Sequence, residues 1–112
     1  MNIDDFFSQK KCEWIIGANL EPEIPLEKFY LVLKKIESNI KTENIFVRIC
    51  DIEDKCKFSD AVYILGNWNM QDLRKQTESL FPTEIYEGFL YDKPKEIFIK
   101  NSDHKIFTLW WD

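Results

Sequence analysis

The chain has 112 residues, with 20 acidic against 15 basic side chains, which gives a formal net charge of -5 and a pI near 4.9. A surface with this charge repels phosphate backbones and anionic membranes, so we expect neither nucleic acid nor a membrane as a partner. Apolar residues make up 45% of the chain and charged residues 31%. This composition predicts a single globular domain over residues 1–112, without a disordered segment.

The N-terminal segment and the cysteines favour a cytoplasmic protein. The segment MNIDDFFSQKK carries acidic residues where a signal peptide has basic ones, and no apolar run reaches the length of a membrane helix. The cysteines at positions 12, 50 and 56 are odd in number and contain no C-x-x-C pair. We therefore expect reduced thiols rather than a disulfide framework.

The first third of the chain predicts a strand and a helix after a polar lead-in. Residues 1–10 form at most a short helical turn, and residues 12–18 alternate as in a strand, with Trp14 and Ile16 on one face. Pro25 is a good first-turn residue for a helix that ends near residues 38–41. The apolar residues of this helix fall at helical spacing: Leu26, Phe29, Tyr30, Leu33 and Ile36.

The middle of the chain predicts a hairpin and a second helix. Residues 44–52 alternate with period two, and residues 60–65 follow as a second strand, so an antiparallel pair is the simplest topology. Asn69 is a suitable helix N-cap, with Asp72 in the capping-box position three residues later. Pro82 stops this helix.

The last third predicts three strands. Residues 83–91 alternate, and residues 96–100 and 105–111 flank a polar turn as the two arms of a closing hairpin. Both faces of the final run carry bulky apolar groups, which is typical of a strand with both sides covered. The fold class is therefore α+β, with a mostly antiparallel, twisted sheet of about five or six strands and two helices packed on one face.

No catalytic, metal-binding or cofactor-binding signature stands out. His104 is the only histidine and lies in a predicted turn, without sequence neighbours suited to a nucleophile or a zinc site. The glycines are isolated, so they form no phosphate-binding loop. The acidic stretch around residues 51–60 lacks the glycine and the bidentate glutamate of a calcium loop. We expect no enzyme activity, no metal and no cofactor.

Acidic residues interleaved with aromatic ones are the remaining candidate. Rings supply desolvated anchors in protein interfaces, and carboxylates steer a basic partner towards them. For Trp14 and Trp111 we expect the core, whereas Trp68 and Trp110 suit core and surface equally. The predicted binding residues are Asp51, Glu53, Asp54, Asp60, Trp68, Glu84, Tyr86, Glu87, Trp110 and Asp112.

A small, acidic, aromatic-rich α+β chain ending in Trp-Trp-Asp resembles the immunity proteins of bacterial contact-dependent-inhibition and other polymorphic toxin systems. The resemblance implies tight binding to a cognate toxin domain, which is often a basic nuclease. It also implies that carboxylates occupy or cover the place where substrate phosphates bind.

Two other functions fit the same sequence. A small enzyme or ligand-binding domain would have a pocket between the sheet and a helix, lined by Tyr30, Tyr63 and Trp14. A homodimeric adaptor would join two copies through the last hairpin, so the sequence leaves monomer and dimer open.

Overall fold

The structure is a computed structural model that describes residues 1–90 and 93–112. Its described part contains three α-helices: α1 (Ile3–Phe7), α2 (Leu26–Glu37) and α3 (Met70–Thr77). The Asn69 side chain caps α3 by accepting a hydrogen bond from the backbone N–H of Asp72 at 2.9 Å, as the sequence predicts. A 3₁₀ turn, Glu78–Leu80, follows α3 and ends at Phe81 in a left-handed conformation.

The sheet has four antiparallel strands in the order β1-β2-β4-β3. These strands are β1 (Thr42–Glu53), β2 (Cys56–Gly66), β3 (Glu84–Glu87) and β4 (Lys105–Trp110). The hairpin between β1 and β2 turns through Asp54 and Lys55, with φ of 49° and 70°. Positive φ at both central residues is the geometry that matches the right-handed strand twist.

The α+β class and the antiparallel sheet are confirmed, but the number of elements differs from the prediction. The described part of the chain has four strands rather than five or six, and three helices rather than two. The predicted strands at residues 12–18 and 96–100 are wrong, because both segments are irregular. β3 is shorter than the predicted strand over residues 83–91, whose last residue lies outside the described ranges together with residue 92.

The predicted closing hairpin is replaced by a different pairing of β4. This strand lies between β2 and β3, so its hydrogen bonds are used by strands distant in the chain rather than by residues 96–100. Both of its faces are buried, as the two-sided apolar pattern indicates. A strand can be recognised from its own residues, but its partners depend on the rest of the sheet.

The two faces of the sheet are covered differently. The helices pack on one face, where Val47, Val62 and Leu109 are at most 1% exposed and belong to the main core with Phe6, Phe29, Leu33 and Leu73. On the opposite face a smaller cluster forms around Tyr63, Leu65, Ile97 and Ile106, with Phe89 and Leu90 packed against it. Among the described residues, no helix covers the second face.

The cysteines do not match the prediction of three reduced thiols. Cys12 and Cys56 form a disulfide with their Cα atoms 5.6 Å apart, and Cys50 is free and exposed. The spacing of 44 residues between the two partners carries no local signal. Only the tertiary fold brings the segment after α1 to the start of β2.

Candidate functional site

A cluster of polar and aromatic side chains lies on the second face of the sheet, near the C-terminal end of β4. Arg48, Ala61, Trp110 and Glu84 are direct neighbours across the four strands, and Tyr86 lies in the next row beside Thr108. Side chains opposite each other in a row point to the same face. We call Arg48, Asp60, Glu84, Tyr86 and Trp110 the sheet patch. Four of its five members were predicted from the sequence.

An ion pair organises the sheet patch. An Arg48 guanidinium nitrogen donates to Asp60 Oδ1 at 2.6 Å, and both side chains are about one quarter exposed. The register of β1 and β2 shifts beside Arg48, and Asp60 lies opposite this irregularity. A bulge redirects side chains at such a point, which explains why Asp60 reaches the same face as Arg48. The sequence analysis missed Arg48, although its position in an alternating strand predicts this face.

Two groups near the sheet patch have raised pKa values, and burial is the main cause for both. Burial raises the pKa of Tyr86, and Tyr63 and the carboxylates of Glu84 and Asp60 raise it further. Burial and the Asp60 carboxylate also raise the pKa of the Cys50 thiol. Both groups therefore stay protonated at neutral pH, which makes Cys50 a poor nucleophile.

Three of the predicted carboxylates lie apart from the sheet patch. Asp51, Glu53 and Asp54 are exposed at the turn between β1 and β2, and we call them the hairpin tip. Since a strand rises about 3.3 Å per residue, the tip lies on the order of 15 Å along β1 from Arg48. These carboxylates can act on a partner at the sheet patch only through the longer-range field.

Trp68 is not an exposed anchor, because it is 6% exposed and packs in the main core. Its Nε1 donates to Thr42 Oγ1 at 2.9 Å, and the Lys41 ammonium lies 5.3 Å from the ring centroid. Glu87 lies opposite Phe107, on the helical side of the sheet, and pairs with Lys105 at 3.2 Å. Neither residue belongs to the sheet patch.

Trp14 is the tryptophan that the sequence analysis placed wrongly. It is 49% exposed, whereas its neighbours Ile15 and Ile16 are 1% and 3% exposed. It lies in the irregular segment of residues 8–25 between α1 and α2, which we call the strap. The Cys12–Cys56 disulfide and a 2.7 Å hydrogen bond from Ser59 N to Ile15 O join the strap to β2.

Asp112 links the strap to the end of the sheet. Its backbone N–H donates to Thr83 Oγ1 at 3.0 Å, and its backbone oxygen accepts from the Asn19 side chain at 3.2 Å. Asp112 is exposed. It therefore lies beside the strap, at the end of β4 that carries Trp110.

The geometry does not support the alternative pocket. Tyr63 is buried on the face without helices, whereas the Tyr30 hydroxyl donates to Asp4 Oδ1 at 2.7 Å on the side of α2. Trp14 is in the strap, so these three residues do not line a common cavity. His104 lies 2.9 Å from Glu43 Oε1, at the opposite end of β4 from the sheet patch.

A family model of the uncharacterized protein YfbO family matches residues 1–109. The chain belongs to this family. No curated protein and no solved structure matches it. The match covers the strap and all of the sheet patch except Trp110, which directly follows the matched YfbO region. Among the described residues, no helix is long and apolar enough to cross a membrane.

Proposed function

We propose that this chain is an immunity-type protein that binds and neutralises a cognate, basic toxin domain through the sheet patch. The observation that carries the proposal is that Asp60, Glu84 and Tyr86 lie together with Trp110 on the sheet face that no helix covers. Tyrosine, tryptophan and arginine are the residue types that most often carry binding energy in interfaces. Carboxylates around them favour a positively charged partner.

The role of each group follows from its exposure. Trp110 and Tyr86 are half-buried, so each ring is held by the sheet while part of it remains available as an anchor. Glu84 and the hairpin tip are exposed, so their carboxylates act mainly on the encounter rate. The Arg48–Asp60 pair orients one carboxylate and prevents the patch from being uniformly negative.

The mechanism we propose is occlusion by binding, without chemistry on the partner. The cationic groups that bind substrate phosphates in a basic nuclease can bind carboxylates instead. A carboxylate surface therefore suits the phosphate site of such an enzyme. Among toxin classes, a basic nuclease therefore fits this surface best. The charge of -5 is sufficient to steer a cationic surface at low ionic strength.

The first test uses the genes that lie next to the gene for this protein. The product of each neighbouring gene is expressed with and without this protein, and growth is recorded. We expect one product to arrest growth and this protein to restore it. If no neighbouring product is toxic, or if this protein fails to restore growth, the proposed function is wrong.

The surface is tested by kinetics with the purified toxin domain. Trp110→Ala should speed dissociation at least tenfold, because it removes a ring near the centre of the patch. A triple Asp51→Lys, Glu53→Lys, Asp54→Lys variant should slow association about tenfold or more and weaken its salt dependence. Glu78→Lys, an exposed change outside both groups, is the control and should leave both rates unchanged.

The oxidation state of the cysteines indicates the cellular location. Disulfides persist in oxidising compartments, so the Cys12–Cys56 bond weighs against the predicted cytoplasmic location. Alkylation of the protein in intact cells, followed by mass spectrometry without reduction, distinguishes the two states. A single label on Cys50 supports an oxidising compartment, whereas three labelled thiols support the cytoplasm.

A further inference from the structure

A groove surrounds the exposed indole of Trp14, on a part of the molecule that the proposed function does not use. One cavity of about 280 Å³ is lined by apolar groups of the strap and the start of α2, and by two carboxylates; its residues include Ile16, Ile24, Leu26, Glu13 and Glu23. A second cavity, of about 610 Å³, shares Trp14 and Glu23 with the first and adds Asn19 and Glu21. We call these two cavities, which share Trp14 and Glu23, the Trp14 groove.

The backbone holds Trp14 in an uncommon conformation. Its φ is 58°, which is rare for a bulky side chain and is strained. Such a conformation persists only when the surrounding structure determines it. Here the disulfide lies two residues before Trp14, and the Ile15–Ser59 hydrogen bond follows directly after it. The Trp14 indole is therefore held in an exposed position, because Ile15 and Ile16 are buried in the core and the strap is joined to β2.

The charges around the groove are of one sign. Among the described residues that line the two cavities, three are glutamates and none is lysine, arginine or histidine. The start of α2 at Leu26 contributes the positive end of a helix dipole, which is equivalent to about half an elementary charge. Three carboxylates outweigh this contribution, so the groove favours a cation.

We infer that the Trp14 groove binds a lysine or arginine side chain of an extended segment of a protein partner. The apolar wall of Ile16, Ile24 and Leu26 suits the aliphatic stem of such a side chain. The indole face and the carboxylates of Glu13 and Glu23 suit its charged end, since a cation over an indole is stabilised beyond simple contact. Trp14 and Glu23 border the second cavity as well, so there is room beside the indole for the residues that flank the bound side chain. This arrangement favours a side chain that belongs to a peptide.

The inference is independent of the sheet patch and is tested with synthetic peptides. The probe is the capped pentapeptide acetyl-Gly-Leu-Lys-Leu-Gly-amide, and the control peptide replaces lysine with norleucine, which keeps the stem and removes the charge. The four indole N–H resonances of the protein are followed by nuclear magnetic resonance during titration. Each tryptophan is assigned from a single substitution to phenylalanine.

We expect the Trp14 resonance to shift with a Kd in the millimolar range for the lysine peptide, and about tenfold more weakly for the norleucine peptide. Glu13→Gln combined with Glu23→Gln should reduce the difference between the peptides, because it removes two of the three carboxylates, keeps the side-chain shapes and leaves the indole and Glu21 in place. Glu78→Gln is the matched control and should keep the difference. Trp110→Ala should leave the Trp14 response unchanged.

Equal binding of the two peptides would overturn the inference, as would a response of the sheet-patch indole in place of Trp14. Failure here leaves the toxin-binding test unaffected, because that test uses the sheet patch and growth rescue. Conversely, a lysine-specific Trp14 response would support the groove even if no neighbouring gene encodes a toxin.

Discussion

The two faces of the sheet differ in what covers them, and the proposed function assigns stability to one face and binding to the other. On the helical face, Val47, Val62 and Leu109 are sealed beneath the helices. On the other face, an irregular segment covers only part of the surface, and Trp110, Tyr86 and Glu84 keep partial or full exposure. Neighbouring residues of one strand, such as Leu109 and Trp110, therefore lie in different environments. The predictions below test this division.

The largest effect should come from a truncation on the helical face. Leu109→Ala removes a side chain with 0% exposure and leaves a cavity, so we expect a loss of about 2–5 kcal/mol in the free energy of unfolding. The control is Glu84→Ala on the open face, with a change within about 0.5 kcal/mol. Urea titration measures both variants. Similar losses for the two would contradict the division between the faces.

The next effect concerns the strap. Cys12→Ser removes a cross-link between residues separated by 44 positions, for which chain entropy predicts a loss of about 4 kcal/mol and measured cases give about 2–4. Cys50→Ser is the matched control, because this thiol is free and exposed. It should change stability by less than about 0.5 kcal/mol. Thermal unfolding without reductant compares them, and equal midpoints would show that the cross-link does not form.

A smaller effect should distinguish two tryptophans. Trp68→Phe reduces ring size in the core and removes the 2.9 Å hydrogen bond to Thr42 Oγ1, so we expect a loss of about 1–3 kcal/mol. Trp14→Phe changes a half-exposed ring and should cost less than about 1 kcal/mol. Guanidinium titration gives both values. A larger loss at Trp14 would place the strap indole in the core.

The smallest effect is a pH dependence where α1 meets α2. Hydrogen bonds from the Tyr30 hydroxyl and then from Lys34 lower the pKa of Asp4 below its ordinary value of 3.8. A carboxyl with a lowered pKa stabilises the fold above its ordinary pKa, and this contribution is lost as the pH falls through the folded-state value. Stability should therefore decline below about pH 4 partly through Asp4.

Asp4→Asn should flatten that decline slightly, measured as urea midpoints at about pH 7 and about pH 3. The control Asp103→Asn changes an exposed carboxyl in the turn before β4. If both variants follow the pH profile of the unmodified protein, the hydrogen bonds of Asp4 do not contribute to acid stability.

Part of the candidate site could be predicted because it depends on strand alternation. The register of the sheet brings Glu84, Tyr86 and Trp110 to one face, as alternation allows, whereas Asp60 reaches that face through the bulge opposite Arg48. Trp14 was predicted in the core and is half-exposed, whereas Trp68, for which the sequence left core and surface open, is buried, since burial of a single ring depends on what packs over it. No local signal indicates that Thr42 provides a hydrogen-bond partner for the Trp68 indole.

Elements whose signals are local can be predicted from the residues alone. Helical spacing and a proline define α2, an N-cap defines α3, and alternation defines β1 and β2, since each depends on residues within a few positions. The partners of β4, the Cys12–Cys56 bond and the outward position of Trp14 depend on long-range packing. These features join distant segments, and the free energy that selects them comes from packing the whole chain.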